Sequence, residues 1–224
     1  MTRTRFHDEL DALELEILGM GEMAERAVGS AVDALVARDE KLARSVIDGD
    51  DEIDGRYLDI EHRTLGLLAL QTPVATDLRL LSAILHINLH LERIGDMGVN
   101  IAKTDLSVHG LPASQPILAH LAEMRDHLVP ILRTAMEAFR TRDLELCLRL
   151  PVMDDPVDRL NLGIYSEVAG LAGEPEELEW GLRMVVIARQ LERVGDHAVD
   201  IGEQIGFLLT GEFREFTDSS HPDA

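Results

Sequence analysis

An eleven-residue stretch, LERIGDMGVNI at residues 91–101, occurs a second time as LERVGDHAVDI at residues 191–201. Seven of the eleven positions are identical, and each position is offset by 100 residues from its counterpart. Two copies this similar indicate an internal duplication. We therefore expect the chain to consist of two homologous halves.

Both copies place acidic or amide side chains four residues apart. On an α-helix, residues at i, i+4 and i+8 lie in one row along the same face. Each copy is thus predicted to present a column of oxygen atoms in one direction. These side chains are Glu92, Asp96 and Asn100 in the first copy, and Glu192, Asp196 and Asp200 in the second.

The composition favours a protein built only of helices. Hydrophobic residues make up 46% of the 224 residues, which is enough for a sizeable core, whereas aromatic residues make up 4%. Aliphatic side chains suit packed helices better than sheets. Together with the duplication, this predicts an all-α fold of two tandem, homologous, antiparallel three-helix bundles, with six long helices and a pseudo-twofold internal repeat.

Apolar residues recur with the helical period in six segments, at about residues 6–37, 39–70, 76–105, 117–141, 143–172 and 175–210. Asp39 and Asp143 are placed to cap the second helix of each half, and Thr76 or Asp77 to cap the third helix of the first half. Residues 107–116 are rich in proline, glycine and serine. We predict a first bundle at residues 1–106, a linker at 107–116, a second bundle at 117–211 and a disordered polar tail at 212–224.

The charge limits the classes of partner. Acidic residues number 42 against 21 basic residues, and the formal net charge is −21. This charge repels nucleic acid and an anionic membrane surface and favours metal ions or basic protein surfaces. The single cysteine, Cys147, lies in an apolar pattern and is expected to be a buried, reduced thiol of a cytosolic protein. With no apolar segment of about 20 residues, a membrane would be met only through a partner.

The second helix of each half carries an acidic pair of its own. Asp50 and Asp96 are equidistant in sequence from Pro73, and so are Asp54 and Glu92. In an antiparallel helical hairpin, residues equidistant from the turn lie at the same level. The same relation about Pro175 joins Asp154 to Asp196 and Asp158 to Glu192. Each half is therefore predicted to hold four carboxylates at two adjacent levels.

Carboxylates gathered in this way repel one another and call for a compensating cation. Oxygen ligands suit Mg²⁺, Mn²⁺ or Ca²⁺, and carboxylates also hold Fe or Zn in multinuclear clusters. His197, beside Asp196, could add a nitrogen ligand in one half, whereas His86 and His90 are more typical of a helix surface or core. The competing interpretation is that nearby arginines such as Arg93 and Arg193 form surface salt bridges and that no ion binds.

No catalytic arrangement is evident in the sequence. There is no nucleophile motif, no P-loop and no CxxC pair. A ferritin-like di-iron enzyme would need Glu-x-x-His on its core helices, and no glutamate here has a histidine three residues later. We expect a protein that is not an enzyme.

Three features together resemble the PhoU family of phosphate-signalling regulators. They are the doubled Leu-Glu-Arg-Ile/Val-Gly-Asp motif, the turn PVATDLR at residues 73–79, and the Met20-Gly21 segment of the first helix. The resemblance covers about residues 5–212. The second half departs from it at residues 172–179, which lack the Asp-Leu-Arg of the first turn, and at Pro156, which lies within the second acidic pair.

This resemblance implies a cytoplasmic, usually homodimeric regulator that represses the phosphate-starvation response and limits phosphate uptake. Such a protein acts between the ATPase of the phosphate ABC transporter and a sensor histidine kinase, and it binds Fe, Zn, Mg or Mn at the acidic motifs. The alternative is a metal-free helical scaffold whose acidic rows bind basic partner surfaces directly. The matching positions are Glu92, Asp96, Glu192 and Asp196 on the third helices, and Asp50, Asp54, Asp154 and Asp158 on the second.

Overall fold

The structure is a computed structural model that describes residues 3–216. These residues form seven α-helices and no strand. The helices are α1 (Arg3–Ala37), α2 (Glu40–Asp48), α3 (Asp50–Gln71), α4 (Ala75–Val108), α5 (Gln115–Thr141), α6 (Leu144–Ala169) and α7 (Pro175–Thr210). The predicted all-α fold with a duplicated three-helix plan is confirmed.

The second predicted helix of the first half is divided at Gly49 into α2 and α3. Gly49 keeps right-handed helical angles, φ −79° and ψ −9°, and its N–H donates to the carbonyls of Ser45 and Val46. The chain therefore bends at Gly49 without reversing, and Asp50 begins a new helix. In the second half, α6 runs unbroken through the equivalent position, although it contains Pro151 and Pro156.

Side-chain caps open two of the helices as predicted. The carboxylate of Asp39 accepts hydrogen bonds from the backbone N–H groups of Lys41 and Leu42 at 2.9 and 3.2 Å. Asp143 does the same at the start of α6. The predicted cap of α4 is wrong, because Val74 is the N-cap and makes no side-chain bond, while Asp77 lies inside the first turn. A carboxylate there still interacts favourably with the helix dipole.

The two halves pack through α1 against α5 and through α4 against α7. On α1, Glu25 pairs with Arg133 at 2.7 Å and Glu14 with Arg142 at 2.6 Å, so α1 and α5 run antiparallel. The guanidinium of Arg79, near the start of α4, donates to the carbonyl of Leu208 near the end of α7 at 3.2 Å. The first and third helices of each half thus meet their counterparts in the other half, whereas among the described residues α2 and α3 do not contact α6.

The third helix of the first half lies very close to the first helix. A Cβ atom at Gly98 of α4 would lie 2.8 Å from the backbone carbon of Ala27 and 2.9 Å from the nitrogen of Val28. Only a glycine lets the two helix backbones approach this closely. The contact fixes the face that α4 turns toward the core, and it leaves Glu92 and Asp96 on the side of α3.

The chain after α7 returns along that helix. Residues 212–216 belong to the predicted disordered tail, yet the N–H of Phe216 donates to Glu203 Oε1 at 2.6 Å and its side chain packs against the core. The rest of the predicted tail, residues 217–224, lies outside the described residues. Between residues 3 and 216, none of the helices is both long and apolar enough to span a membrane.

Candidate metal centre

The first cluster of carboxylates, Asp50, Asp54, Glu92 and Asp96, lies between α3 and α4. Asp50 and Glu92 are half-buried, whereas Asp54 and Asp96 are exposed. Burial raises the pKa of Asp50, and the charges of Asp54 and Asp96 raise it further. The pKa of Glu92 is raised by burial first and then by Asp96. Carboxylates of α3 and α4 therefore act on one another across the two helices, while their arrangement at two matched levels stays a prediction.

The second cluster, Asp154, Asp158, Glu192 and Asp196, lies between α6 and α7 and is deeper. Asp154 is 5% exposed and Glu192 is 9% exposed. Burial, followed by the charges of Asp158, Asp196 and Glu192, raises the pKa of Asp154 to about 8. Burial is also the main cause of the raised pKa values of Glu192 and Asp196. Arg189 donates a hydrogen bond to Glu192 and offsets part of this repulsion.

Two equivalent glycines explain why the clusters differ in depth. A Cβ atom at Gly195 would lie 2.0 Å from Asp154 Oδ1, so the Asp154 carboxylate occupies the space that a side chain would fill. At Gly95 the corresponding Cβ would lie 2.9 Å from Ile53 Cδ1. An apolar side chain thus fills the glycine gap in the first half, and a carboxylate fills it in the second.

A pocket of about 410 Å³ adjoins the second cluster. Besides Asp154, Asp158 and Asp196, its lining includes Glu203 and Phe216, which the sequence did not single out. Burial raises the pKa of Glu203. An acidic residue between the apolar Ile201 and Ile205 was a signal available in the sequence. Another cavity, of about 600 Å³, lies between α1 and α5 and is lined by residues of neither cluster.

Several carboxylate oxygens in the clusters fit a bound cation. Asp50 Oδ1, Asp154 Oδ1 and Glu192 Oε2 are buried and have no hydrogen-bond partner among residues 3–216. Buried acceptors left in this state are costly, and a cation would satisfy them. In neither cluster, however, do three carboxylates come within 4.8 Å of one another in the described chain. The clusters are therefore open, and a single small ion could not be held by three of these groups without movement.

Asn100 and Asp200, the last members of the two predicted rows, have surroundings that differ from those of the two clusters. Asn100 is exposed on α4, and its backbone carbonyl accepts from the Thr104 hydroxyl at 2.7 Å. Asp200 lines the second pocket, but its Oδ2 is also 3.4 Å from His197 Nδ1 and 3.6 Å from His90 Nδ1. Burial lowers the pKa of His90 to about 4. The sequence analysis assigned His90 to a helix surface or core, because nothing in the sequence places α4 beside α7.

Known proteins resemble this chain over nearly its whole length. The sequence profile of the PhoU domain matches residues 17–104 and again residues 121–205. A phosphate-specific transport system accessory protein PhoU homolog of Caulobacter vibrioides is 34% identical over 208 residues, which is 92% of this chain and 90% of that protein. A homolog of the same name from Clostridium acetobutylicum is 31% identical and covers 97% of this chain and 100% of its own.

Solved structures show the same architecture. PhoU from Pseudomonas aeruginosa superposes with a TM-score of 0.87 at 30% identity, covering 92% of this chain and all of that one. The phosphate transport system regulatory protein PhoU from Streptococcus pneumoniae gives a TM-score of 0.85 at 28% identity, with coverages of 93% and 99%. The duplicated three-helix plan, the two profile matches and these relatives agree, and the chain belongs to the PhoU family.

Proposed function

We propose that this protein regulates phosphate uptake and phosphate-starvation signalling from the cytoplasm. Its relatives are named as accessory proteins of the phosphate-specific transport system. In this proposal a homodimer acts as a negative regulator and as an adaptor between the phosphate ABC transporter ATPase and a sensor histidine kinase. The proposal assigns the protein no catalytic step and no contact with nucleic acid, and it reaches the membrane only through its partners.

Metal ions at the two carboxylate clusters are part of this proposal. The observation that supports them best is the set of buried, partnerless oxygens at Asp50, Asp154 and Glu192. Oxygen-only ligands favour Mg²⁺ or Mn²⁺, and carboxylate-bridged Fe or Zn clusters also suit ligands that are spread apart. A bound cation supplies positive charge between α3 and α4 and between α6 and α7. The carboxylates of the two clusters would hold the cation at the surface that a partner contacts.

Elemental analysis of protein purified without chelators tests the metal. We expect Asp154→Asn combined with Glu192→Gln to lose metal from the second half, because both changes replace buried ligand oxygens. Glu179→Gln is the matched control, since Glu179 is an exposed acid near the start of α7, the helix that carries Glu192. Equal metal content in all three proteins would exclude the second cluster as the site.

A pull-down tests the adaptor. The purified chain should capture the transporter ATPase and the kinase when its metal content is intact. Capture should fall when the carboxylates of both clusters are replaced by their amides, while circular dichroism shows an unchanged helical content. If neither partner binds, with or without metal, the adaptor proposal fails.

The metal-free scaffold remains the second candidate, and the open spacing of the clusters favours it. With no three carboxylates of either cluster within 4.8 Å of one another in the described chain, the acidic rows form extended negative surfaces that suit basic side chains. This candidate expects partner binding to be unchanged by chelator and to weaken steeply as salt is raised. The metal-dependent adaptor expects binding to fall in chelator at constant salt.

A further inference from the structure

A separate group of metal-ligating side chains lies where α4 of the first half contacts α7 of the second. His90 Nδ1 and His197 Nδ1 are 3.0 Å apart, and Asp200 Oδ2 lies 3.6 Å from the first and 3.4 Å from the second. Among the residues from 3 to 216, this is the one group of three such ligand atoms that all lie within 4.8 Å of one another. Neither carboxylate cluster reaches this density.

The three distances match the spacing around a four-coordinate ion. In a tetrahedral site with ligands at about 2.0–2.1 Å, neighbouring ligand atoms are about 3.3 Å apart. The observed separations of 3.0, 3.4 and 3.6 Å bracket that value. The point equidistant from the three atoms lies about 1.9 Å from each. A position a fraction of an ångström above this point therefore lies at metal–ligand bonding distance from all three atoms.

The surroundings permit an ion to enter and to be held. The side chains of His90 and His197 are 17% and 15% exposed, whereas Asp200 is 42% exposed and opens the site to solvent. The fourth ligand is thus available as a water molecule. Nε2 of His197 is buried without a hydrogen-bond partner in the described chain, so the polar contacts of this ring lie at Nδ1. Two imidazoles brought together at their Nδ1 atoms share a single hydrogen bond when no ion is present.

We propose that His90, His197 and Asp200 bind one Zn²⁺ ion, or a similar borderline ion, between the two halves. Two nitrogens and one carboxylate oxygen select such an ion over Mg²⁺ or Ca²⁺, which prefer oxygen alone. The site uses none of the eight carboxylates of the two clusters, although Asp200 also lines the pocket beside the second cluster. An ion there links the halves, and it draws Asp200 away from the pocket of the second cluster.

Titration with Co²⁺ tests the proposal, because Co²⁺ takes the place of Zn²⁺ and is coloured. Four-coordinate Co²⁺ absorbs strongly in the visible range, and six-coordinate Co²⁺ in an all-oxygen site absorbs weakly. We expect chelator-treated protein to develop the strong bands at one equivalent and to lose them when Zn²⁺ is added. Replacing a residue that only hydrogen-bonds to a metal ligand weakens metal affinity by about 10–100-fold. Replacing a ligand itself, as in His90→Gln and His197→Gln, should therefore weaken the affinity by at least about 100-fold.

The matched control is His86→Gln, one turn before His90 on the same helix. His86 is exposed and its Nδ1 is bonded to the carbonyl of Ser82 at 2.8 Å, so this change should leave the bands intact. Asp200→Asn, at a more exposed position, should also weaken the bands while circular dichroism confirms the fold. The proposal is overturned if the wild type gives only weak bands, or if the strong bands survive His90→Gln.

Discussion

Asp154 is the residue at which burial and charge act most strongly together. It is 5% exposed, sits in the space left by Gly195, and faces Asp158, Asp196 and Glu192. Burial first, and then these charges, raises its pKa to about 8. Near neutral pH, and without a cation, this carboxyl group is largely protonated. A metal ion and a proton therefore compete for the same oxygen atoms.

This competition predicts a pH dependence of stability in the metal-free protein. The folded-state pKa of Asp154, about 8, exceeds the value of about 3.9 for an unfolded chain. Between these values the folded state holds a proton that the unfolded state lacks, so the free energy of unfolding falls as pH rises from about 4 to about 8. One such group contributes a slope of at most about 1.4 kcal/mol per pH unit.

Asp154→Asn should flatten this part of the profile, since the amide does not titrate. Urea unfolding in chelator across this pH range, followed by circular dichroism, measures the effect. Glu179→Gln, at an exposed position, should keep the wild-type slope. If the Asp154→Asn and wild-type profiles run parallel, Asp154 is not the group responsible.

The capping aspartates give a second prediction at the scale of single residues. Asp39→Ala and Asp143→Ala each remove two hydrogen bonds to backbone N–H groups at a helix start. Each change should lower the free energy of unfolding by about 1 kcal/mol. Asp39→Asn retains an acceptor oxygen and should cost much less, as denaturant unfolding would show. Equal losses for alanine and asparagine would argue against the cap.

At the scale of the helices, the close packing of α4 on α1 fixes the rotation of α4 and so decides in which direction its acidic row points. The contact is made at Gly98, over the backbone of Ala27 and Val28. The same helix carries Glu92 and Asp96 on the side of α3, and His90 on the side of α7. The rotation of α4 about its own axis therefore sets its contacts with α1, α3 and α7 together. The division at Gly49 belongs to the same scale, because it places Asp50 in the first turn of α3.

Gly98→Ala should destabilise the protein by about 1–3 kcal/mol, because the added methyl group would overlap the backbone of α1. Gly29→Ala is the matched control in α1. A Cβ there meets nothing within 4 Å, so the change should raise stability by about 0.5–1 kcal/mol through helix propensity. Thermal unfolding of the two variants measures both changes in stability, the loss in Gly98→Ala and the gain in Gly29→Ala. A neutral Gly98→Ala would show that the two helices can separate at little cost.

At the scale of the whole molecule, the two halves are joined along two pairs of helices. Contacts between α1 and α5 and between α4 and α7 bury apolar side chains from both halves. The apolar residues around this contact belong to one continuous core cluster. A half on its own would expose this surface to water. The predicted division into two bundles thus describes the repeat in the sequence, and we propose that it does not describe two independent folding units.

The chain should accordingly unfold in a single cooperative transition. Calorimetry of the metal-free protein should give equal calorimetric and van't Hoff enthalpies. Gly98→Ala, which acts in the first half, should then lower the melting temperature of the whole chain, by about 2–4 °C for each kcal/mol lost. Two resolved transitions, with only one of them shifted by this variant, would show that the halves unfold separately.

The duplication, the all-α fold and the caps at Asp39 and Asp143 could be predicted from the amino-acid sequence alone, and the levels at which the carboxylates meet stay a prediction of the same kind. These properties are local, because the helical period and the distance from a turn fix which residues share a face and a height. The tertiary structure alone decided that Asp154 is buried against Gly195 while Ile53 fills the gap at Gly95. It also decided that His90 meets His197 and Asp200 across the halves. Both outcomes depend on the rotation and close approach of helices distant in sequence, which are set by the packing of side chains on many elements at once.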